Sequence, residues 1–244
     1  MSRNYEKEYA ARTEYIRQIL KESSAKGIVF GNSGGKDSAL CGILCRAATE
    51  HVLGVQMPCE STRNFGEDLD HAILLAEQYG IKTCTIDLTS AKQAIAAALP
   101  QDMEALPAAQ QNIAPRLRMT TLYTIAQSLG YLVCGTGNAS EYYMGYFTKW
   151  GDGAFDFNPI ADLHVSEILL FLAHLKAPEA IFTKAPSAGL FEGQTDEHDM
   201  GVTYALIERY IAEGTSGTPD SDAIIARYHE RSHHKRSHGL RYAE

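Results

Sequence analysis

Eight consecutive residues, Gly31-Asn32-Ser33-Gly34-Gly35-Lys36-Asp37-Ser38, carry the parts of a phosphate site. The apolar run Ile28-Val29-Phe30 precedes them, and Ala39, Leu40, Ile43, Leu44 and Ala47 follow at helical spacing. The stretch reads as a strand, a tight glycine turn and a helix N-terminus. A helix N-terminus leaves backbone N–H groups unbonded, and its dipole favours an anion. Adjacent glycines let the backbone close on a phosphate without Cβ clashes. Ser33 and Ser38 add hydroxyls. Asp37 is the odd member, because a carboxylate repels phosphate. It makes sense as a ligand that holds Mg²⁺ against the phosphates, since hard cations take oxygen ligands. Two commoner loops do not fit. In a Walker A loop, G-x-x-x-x-G-K-[ST], a hydroxyl residue follows the lysine, whereas here Asp37 does; the G-x-G-x-x-G spacing is also absent.

Strands and helices alternate on either side of this loop. Residues 4–22 read as a helix with a partial apolar stripe through Tyr5, Tyr9, Ile16, Ile19 and Leu20. Strand 28–30 and helix 38–49 flank the loop. A strand over 52–57 ends at Pro58, and a helix over 67–79 has Gly80 as its C-cap candidate. A strand follows over 81–86. This β-α-β-α-β order predicts a parallel sheet with right-handed crossovers and ligands at the strands' carboxyl ends. Residues 89–111 read as helical, broken by Pro100 and Pro107. Asn112 is the expected N-cap of a helix that runs to Leu129 and carries Arg116 and Arg118; Gly130 ends it. Those two arginines face different ways, because positions i and i+2 diverge on a helix. A strand over 131–134 leads into Gly135-Thr136-Gly137-Asn138-Ala139-Ser140-Glu141. Residues 142–158 lack periodicity and read as a long functional loop, as does 183–196. Helices are expected over 162–175, 197–212 and 220–231. The fold class is α/β, a parallel Rossmann-like sheet flanked by helices, with residues 1–244 as a single domain.

Composition narrows the function. The net charge of −8 argues against a nucleic-acid partner, which needs a basic surface. No apolar run is long enough to span a bilayer, and no signal peptide is apparent. The five cysteines, Cys41, Cys45, Cys59, Cys84 and Cys134, form no C-x-x-C pair and read as structural thiols. A reduced, cytoplasmic setting is expected.

The Ser-Gly-Gly-Lys-Asp-Ser stretch resembles the pyrophosphate loop, Ser-Gly-Gly-x-Asp-Ser, of the ATP pyrophosphatase enzymes. Further stretches, in order, are Asn112 to Met119, Thr136-Gly137-Asn138-Ala139-Ser140-Glu141, Gly145-Tyr146-Phe147-Thr148-Lys149-Trp150-Gly151-Asp152-Gly153, Lys184 to Leu190, and Gln194-Thr195-Asp196-Glu197. Together they resemble the ammonia-dependent NAD synthetases over nearly the whole chain. The resemblance implies an adenine nucleotide alpha-hydrolase-like fold and a ligase that makes NAD from deamido-NAD, ATP and ammonia with Mg²⁺. It implies that Gly31, Asn32, Ser33, Gly34, Gly35, Lys36, Asp37 and Ser38 cradle pyrophosphate, with Thr136 and Ser187 also on ATP. Asp37 and Glu141 would bind Mg²⁺. Arg116, Lys149, Asp156, His234 and Lys235 would hold deamido-NAD, with Asp37, Glu141 and Lys149 nearest the chemistry. It further implies a homodimer.

The match departs in places. Nine residues beyond Asp156, where the family usually has a phosphate-binding lysine, stands Val165; Gly189 replaces an Asp. Ala114 and Pro115 are unusual beside Arg116. Lys36, in the variable slot of the pyrophosphate loop, is expected to replace in part the charge missing at Val165. Two alternatives stay open: another pyrophosphate-loop adenylating enzyme of the tRNA-thiolation type, and a nucleotide-binding relative that has lost turnover. About thirty residues before the loop leave no room for a glutamine-hydrolysing domain.

Overall fold

The β-branched and aromatic run at 27–31 makes a strand that is buried almost to its end, as the centre of a parallel sheet requires. The structure, a computed structural model, describes residues 3–60, 65–100, 102–103, 105–183, 195–237 and 239. In chain order the elements are α1 (Tyr5–Ser23), β1 (Gly27–Gly31), α2 (Lys36–Ala48), β2 (Val52–Gln56), α3 (Glu67–Tyr79), β3 (Lys82–Thr85), α4 (Thr89–Ala97) and α5 (Pro107–Gln111). Then come α6 (Ile113–Leu129), β4 (Tyr131–Cys134), α7 (Ala139–Met144), α8 (Val165–His174), α9 (Glu179–Phe182), α10 (Asp196–Met200), α11 (Tyr204–Glu213), α12 (Pro219–Arg231) and a 3₁₀ turn (His233–Lys235).

Among the described residues the sheet has four parallel strands in the order β3-β2-β1-β4. Side chains alternate across β1. Ile28 and Phe30 enter a core with α1, α2 and α8, through Ile16, Leu40, Leu44, Ile168 and Phe171. Val29 points to the other face, where Val55, Val133, Leu122 and Ala126 pack under α6. A third core, around Met144, Val165, Met200, Tyr204, Ile207 and Ile225, ties α7 and α8 to the C-terminal helices. Gly80 and Gly130 close α3 and α6 in the left-handed conformation expected of C-caps, with φ of 63° and 69°.

Three local expectations change. Asn112 does not cap α6 with its side chain; its backbone is helical, and the chain runs on from α5. Its amide instead donates to the Ala108 carbonyl (2.8 Å), and its Oδ1 accepts from Thr148 Oγ1 (2.5 Å), anchoring the later loop. Helix α8 starts at Val165 rather than 162, because Glu167 reaches back to the His164 N–H (2.9 Å) and ends the helix there. Asp162 is drawn away to Arg12 and Arg3. Segment 142–158 is not one loop. It contains the end of α7 and returns to the sheet edge at Phe157, which pairs with Cys134. There the Gly135 N–H donates to the Phe157 carbonyl (2.8 Å). Most of the expected second loop, with Ser187 and Gly189, lies outside the described residues. Cys41, Cys45, Cys59 and Cys134 are buried thiols and Cys84 is half-buried. Among the described residues, no helix is long and apolar enough to cross a membrane.

Candidate active site

The chain moves from β1 to β2 to β3 in one direction and then crosses to β4 on the other side of β1. The crevice beyond the carboxyl ends of β1 and β4 is therefore the topological switch point, where open α/β sheets bind ligands. The 31–38 loop borders it on one side and the 135–141 segment on the other. A cavity of about 1270 Å³ opens there, larger than the ~300–1,000 Å³ of ordinary small-molecule sites. It has room for more than one nucleotide.

Gly34 adopts φ 73°, and a Cβ there would lie 2.0 Å from the Asp68 carbonyl oxygen. The turn thus needs glycine for conformation and for space. Gly35 is the N-cap of α2, so no side chain caps the first N–H groups of the helix, and its first residues, Lys36, Asp37 and Ser38, border the crevice, as an anion site at a helix N-terminus requires. Ser38 Oγ donates to the Gly35 carbonyl and lies 3.0 Å from Ser33 Oγ. Asn32 is buried and donates to the Ala72 carbonyl (3.0 Å), so it braces the loop. Thr136 lines the cavity across from it.

At the base of the crevice is a charged cluster. Asp37 Oδ1 accepts from Asn138 Nδ2 (3.1 Å), and its Oδ2 accepts from Lys36 Nζ (2.7 Å). Asn138 is the N-cap of α7 in a reciprocal capping box with Glu141: the Glu141 N–H reaches Asn138 Oδ1 (3.0 Å), and Glu141 Oε2 accepts from the Asn138 N–H (3.1 Å). Asn138 therefore links the two carboxylates expected to hold metal. Burial, and then the charge of Asp37, push the Glu141 carboxyl well above the usual carboxylate range. Lys36 is only 6% exposed. Burial alone would lower its ammonium pKa, but Asp37, Glu141 and Asp196 hold it above the ordinary lysine value. Tyr204 closes the cluster by donating to the buried Asp196 (2.9 Å), with its ring 5.8 Å from Lys36 Nζ. Burial, with Glu141 and Asp196 beside it, drives the Tyr204 hydroxyl far above its ordinary pKa.

This donor set fits a hard divalent cation. Two crowded carboxylates carry more negative charge than one lysine offsets, and all their donors are oxygens. Among the described residues, no group of three His, Cys, Asp or Glu side chains converges to hold a metal alone. That suits Mg²⁺, which takes one or two carboxylates and completes its shell with phosphate oxygens and water.

The remaining expected residues divide. Lys149, His234 and Lys235 line the cavity. Lys149 Nζ donates to the His234 carbonyl, and Lys235 Nζ donates to the carbonyls of Gly145 (2.8 Å) and Phe147 (2.7 Å). Asp156 is turned into the sheet edge, accepting from the Val133 N–H (2.8 Å) and the Tyr123 hydroxyl (3.2 Å). Arg116 is exposed and off the cavity wall, with a guanidinium nitrogen 3.5 Å from the Lys149 carbonyl. The cavity face of α6 is instead Pro115, Arg118, Met119, Leu122 and Tyr123, one helical stripe. Arg118, which sequence reasoning set aside, donates Nε to the Met57 carbonyl just past the end of β2 (3.1 Å). Burial lowers its pKa from the ordinary arginine value. The sequence signal for it was the spacing with Pro115 and Leu122, which only the position of β2 makes decisive.

The sequence model of the NAD synthase family matches residues 8–238. The chain is 42% identical to the NH(3)-dependent NAD(+) synthetase of Carboxydothermus hydrogenoformans, over 96% of each chain. Among solved structures, it superposes on the NMN synthetase from Francisella tularensis with a TM-score of 0.92 and 34% identity, over 99% of each chain. It superposes on the NH3-dependent NAD synthetase from Campylobacter jejuni with a TM-score of 0.81 and 27% identity, over 99% of this chain and 100% of that one.

Proposed function

The chain belongs to the NAD synthase family, and from that premise we propose that it amidates the nicotinate carboxylate of deamido-NAD with ammonia, at the expense of ATP. The reaction has two displacements. The carboxylate oxygen attacks the α-phosphorus, and the bond from that phosphorus to the bridging oxygen breaks, so pyrophosphate leaves. The nitrogen of ammonia then attacks the acyl carbon of the adenylate, loses a proton, and AMP leaves. Neither step needs a side-chain nucleophile; alignment and charge stabilisation suffice. The observation that carries this reading is the pairing, at one switch-point crevice, of a helix N-terminus open to an anion with two linked carboxylates.

In this reading Gly31 to Ser38 cradle the pyrophosphate, with Thr136 on the opposite wall and Ser187 on ATP. Asp37 and Glu141 would hold Mg²⁺, which supplies neutralisation of the polyphosphate. Asn138 keeps the two carboxylates in register, and Lys36 offsets their charge beside the phosphate loop. Lys149, His234 and Lys235 belong to the wall that takes deamido-NAD, and Arg118 adds a cavity-facing cation; Arg116 and Asp156 would act on that wall from behind, through the Lys149 carbonyl and the edge of β4. A homodimer and a cytoplasmic setting complete the proposal.

One observation favours a second acceptor. The NMN synthetase superposes with a higher TM-score than the NAD synthetase, 0.92 against 0.81. The same site would then amidate nicotinate mononucleotide by the same two displacements. Parallel assays with the mononucleotide and with deamido-NAD, following AMP and amide product with ammonium present, separate the two by their kcat/KM ratio.

A further inference from the structure

The C-terminal segment reaches the substrate wall chiefly by hydrogen bonds to backbone carbonyls, beside the apolar packing of α12 on α7. Helix α7 is short and ends at Gly145, in the left-handed conformation (φ 66°). The Gly145 and Tyr146 N–H groups satisfy the Tyr142 and Glu141 carbonyls locally, which leaves the carbonyls of Tyr143, Gly145 and Phe147 to take donors from elsewhere. The C-terminal segment supplies them. His229 Nδ1 lies 2.9 Å from the Tyr143 carbonyl, and its ring stacks on Tyr143 with centroids 4.1 Å apart. Arg236 Nη1 also donates to the Tyr143 carbonyl (3.3 Å) and to Ser232 Oγ (2.6 Å). Lys235 spans the Gly145 and Phe147 carbonyls, and its ammonium lies 5.5 Å from the Phe147 ring centroid. Cations suit this place, because the helix dipole is negative at its C-terminus. The backbone comes equally close: a Cβ on Gly145 would sit 2.0 Å from Ser232 Cβ.

The connection runs both ways. Lys149 donates from the wall back to the His234 carbonyl, while Lys235 donates from the tail to the wall. We infer that Lys235 is a positioning residue: with Lys149 it forms a reciprocal lysine–carbonyl clasp that fixes segment 145–150 and the end of α7. Two of its three N–H donors are spent on these carbonyls. Its charge therefore acts through the wall, and only secondarily on an anionic substrate. Because Glu141 stands on α7, the clasp also steadies one of the two carboxylates of the charged cluster. The inference rests on the proposed function only in taking 145–150 as substrate wall.

Trp150 is the single tryptophan of the chain and reports on the clasp without any substrate. It is 51% exposed, and Lys149 Nζ lies 5.3 Å from its ring centroid. The experiment compares wild type, Lys235→Met, Lys149→Met and the double variant by Trp150 emission and acrylamide quenching. Circular dichroism checks folding. Lys235→Met is expected to shift Trp150 emission to the red and raise quenching. It is also expected to lower kcat about tenfold or more while the KM of the nicotinate nucleotide changes much less. The two single effects on Trp150 should be non-additive, since either lysine breaks the same clasp. Unchanged Trp150 signals, with KM raised at constant kcat, would overturn the inference and make Lys235 a direct substrate contact. Strictly additive Trp150 effects would also overturn it. If Lys235→Met does not fold, Lys235→Arg answers the same question. It keeps the charge but not the compact ammonium, so raised quenching supports the clasp and unchanged quenching refutes it. The fluorescence arm stands even if the acceptor proves to be neither nucleotide.

Discussion

Gly34→Ala tests the phosphate loop more sharply than any charge change. A Cβ at Gly34 would lie 2.0 Å from the Asp68 carbonyl oxygen, a backbone atom, whereas real Cβ atoms essentially never come within 3.0 Å. The loop must therefore open by about 1 Å against the start of α3, and a misplacement of that size can cost roughly 100-fold in rate. That corresponds to ~2.7 kcal/mol of transition-state stabilisation. The positive φ adds a conformational cost of about 1 kcal/mol, felt in stability rather than catalysis. For a chain of this size it lowers Tm by about 2–4 °C. Gly214→Ala is the matched control. It has a similar positive φ (78°) with nothing within 4 Å of its Cβ and lies off the cavity, so it should share the stability cost and retain activity. The assay is AMP and pyrophosphate formation at saturating ATP, nicotinate nucleotide and ammonium. Gly34→Ala turning over within about threefold of wild type, or Gly214→Ala losing as much activity, would overturn this expectation.

Other outcomes follow from the same geometry. Arg118→Met should lower kcat/KM by about 10-fold or more, the loss of a charged contact, and Arg116→Met by less; steady-state kinetics that reverse this order would return the wall to Arg116. Lys36→Gln removes the ammonium between Asp37, Glu141 and Asp196. It should destabilise the fold by roughly 3–5 kcal/mol at neutral pH, as breaking a buried pair does. It should also raise the apparent KM for ATP; urea unfolding and ATP titration check both. Arg12, by hydrogen bond and charge, holds the Asp162 carboxyl below its ordinary value of 3.8. A depressed acid stabilises the fold above that ordinary value and loses its contribution as pH falls through the lower, folded value. Asp162→Asn should thus cost about 0.5–1 kcal/mol at pH 7, screened by solvent, and nothing at the acid end. A stability gap that persists in acid would oppose this. Chelation by excess EDTA should stop AMP formation, and Mg²⁺ should restore it.

Much of the fold can be read from local signals, because the signals and the tertiary packing agree. The apolar runs at 28–30 and 131–134 are strands because both faces of the sheet are covered. Gly80 and Gly130 end helices because the chain must turn through positive φ. The backbone of the 31–38 turn is legible for the same reason, since Gly34 answers a local need for positive φ. Asn112 misleads because its amide finds the Ala108 carbonyl and Thr148 first, and the helix runs through it. The arginine pair on α6 shows a different limit. Sequence spacing establishes that Arg116 and Arg118 diverge, but which one faces ligand depends on where β2 ends, a non-local fact. The basic tail is the least legible part. Its composition suits a solvated end, while its lysine, arginine and histidine meet carbonyls some ninety residues away in sequence.

The most direct test of the central claim is amide formation itself. Purified protein is given ATP, Mg²⁺, ammonium and deamido-NAD, with nicotinate mononucleotide in a parallel reaction, and AMP, pyrophosphate and amide product are counted. One AMP and one pyrophosphate per NAD formed are expected, with loss of all three products in Asp37→Asn. ATP cleavage to AMP without amide product from either nucleotide, or turnover that survives Asp37→Asn, would contradict the claim.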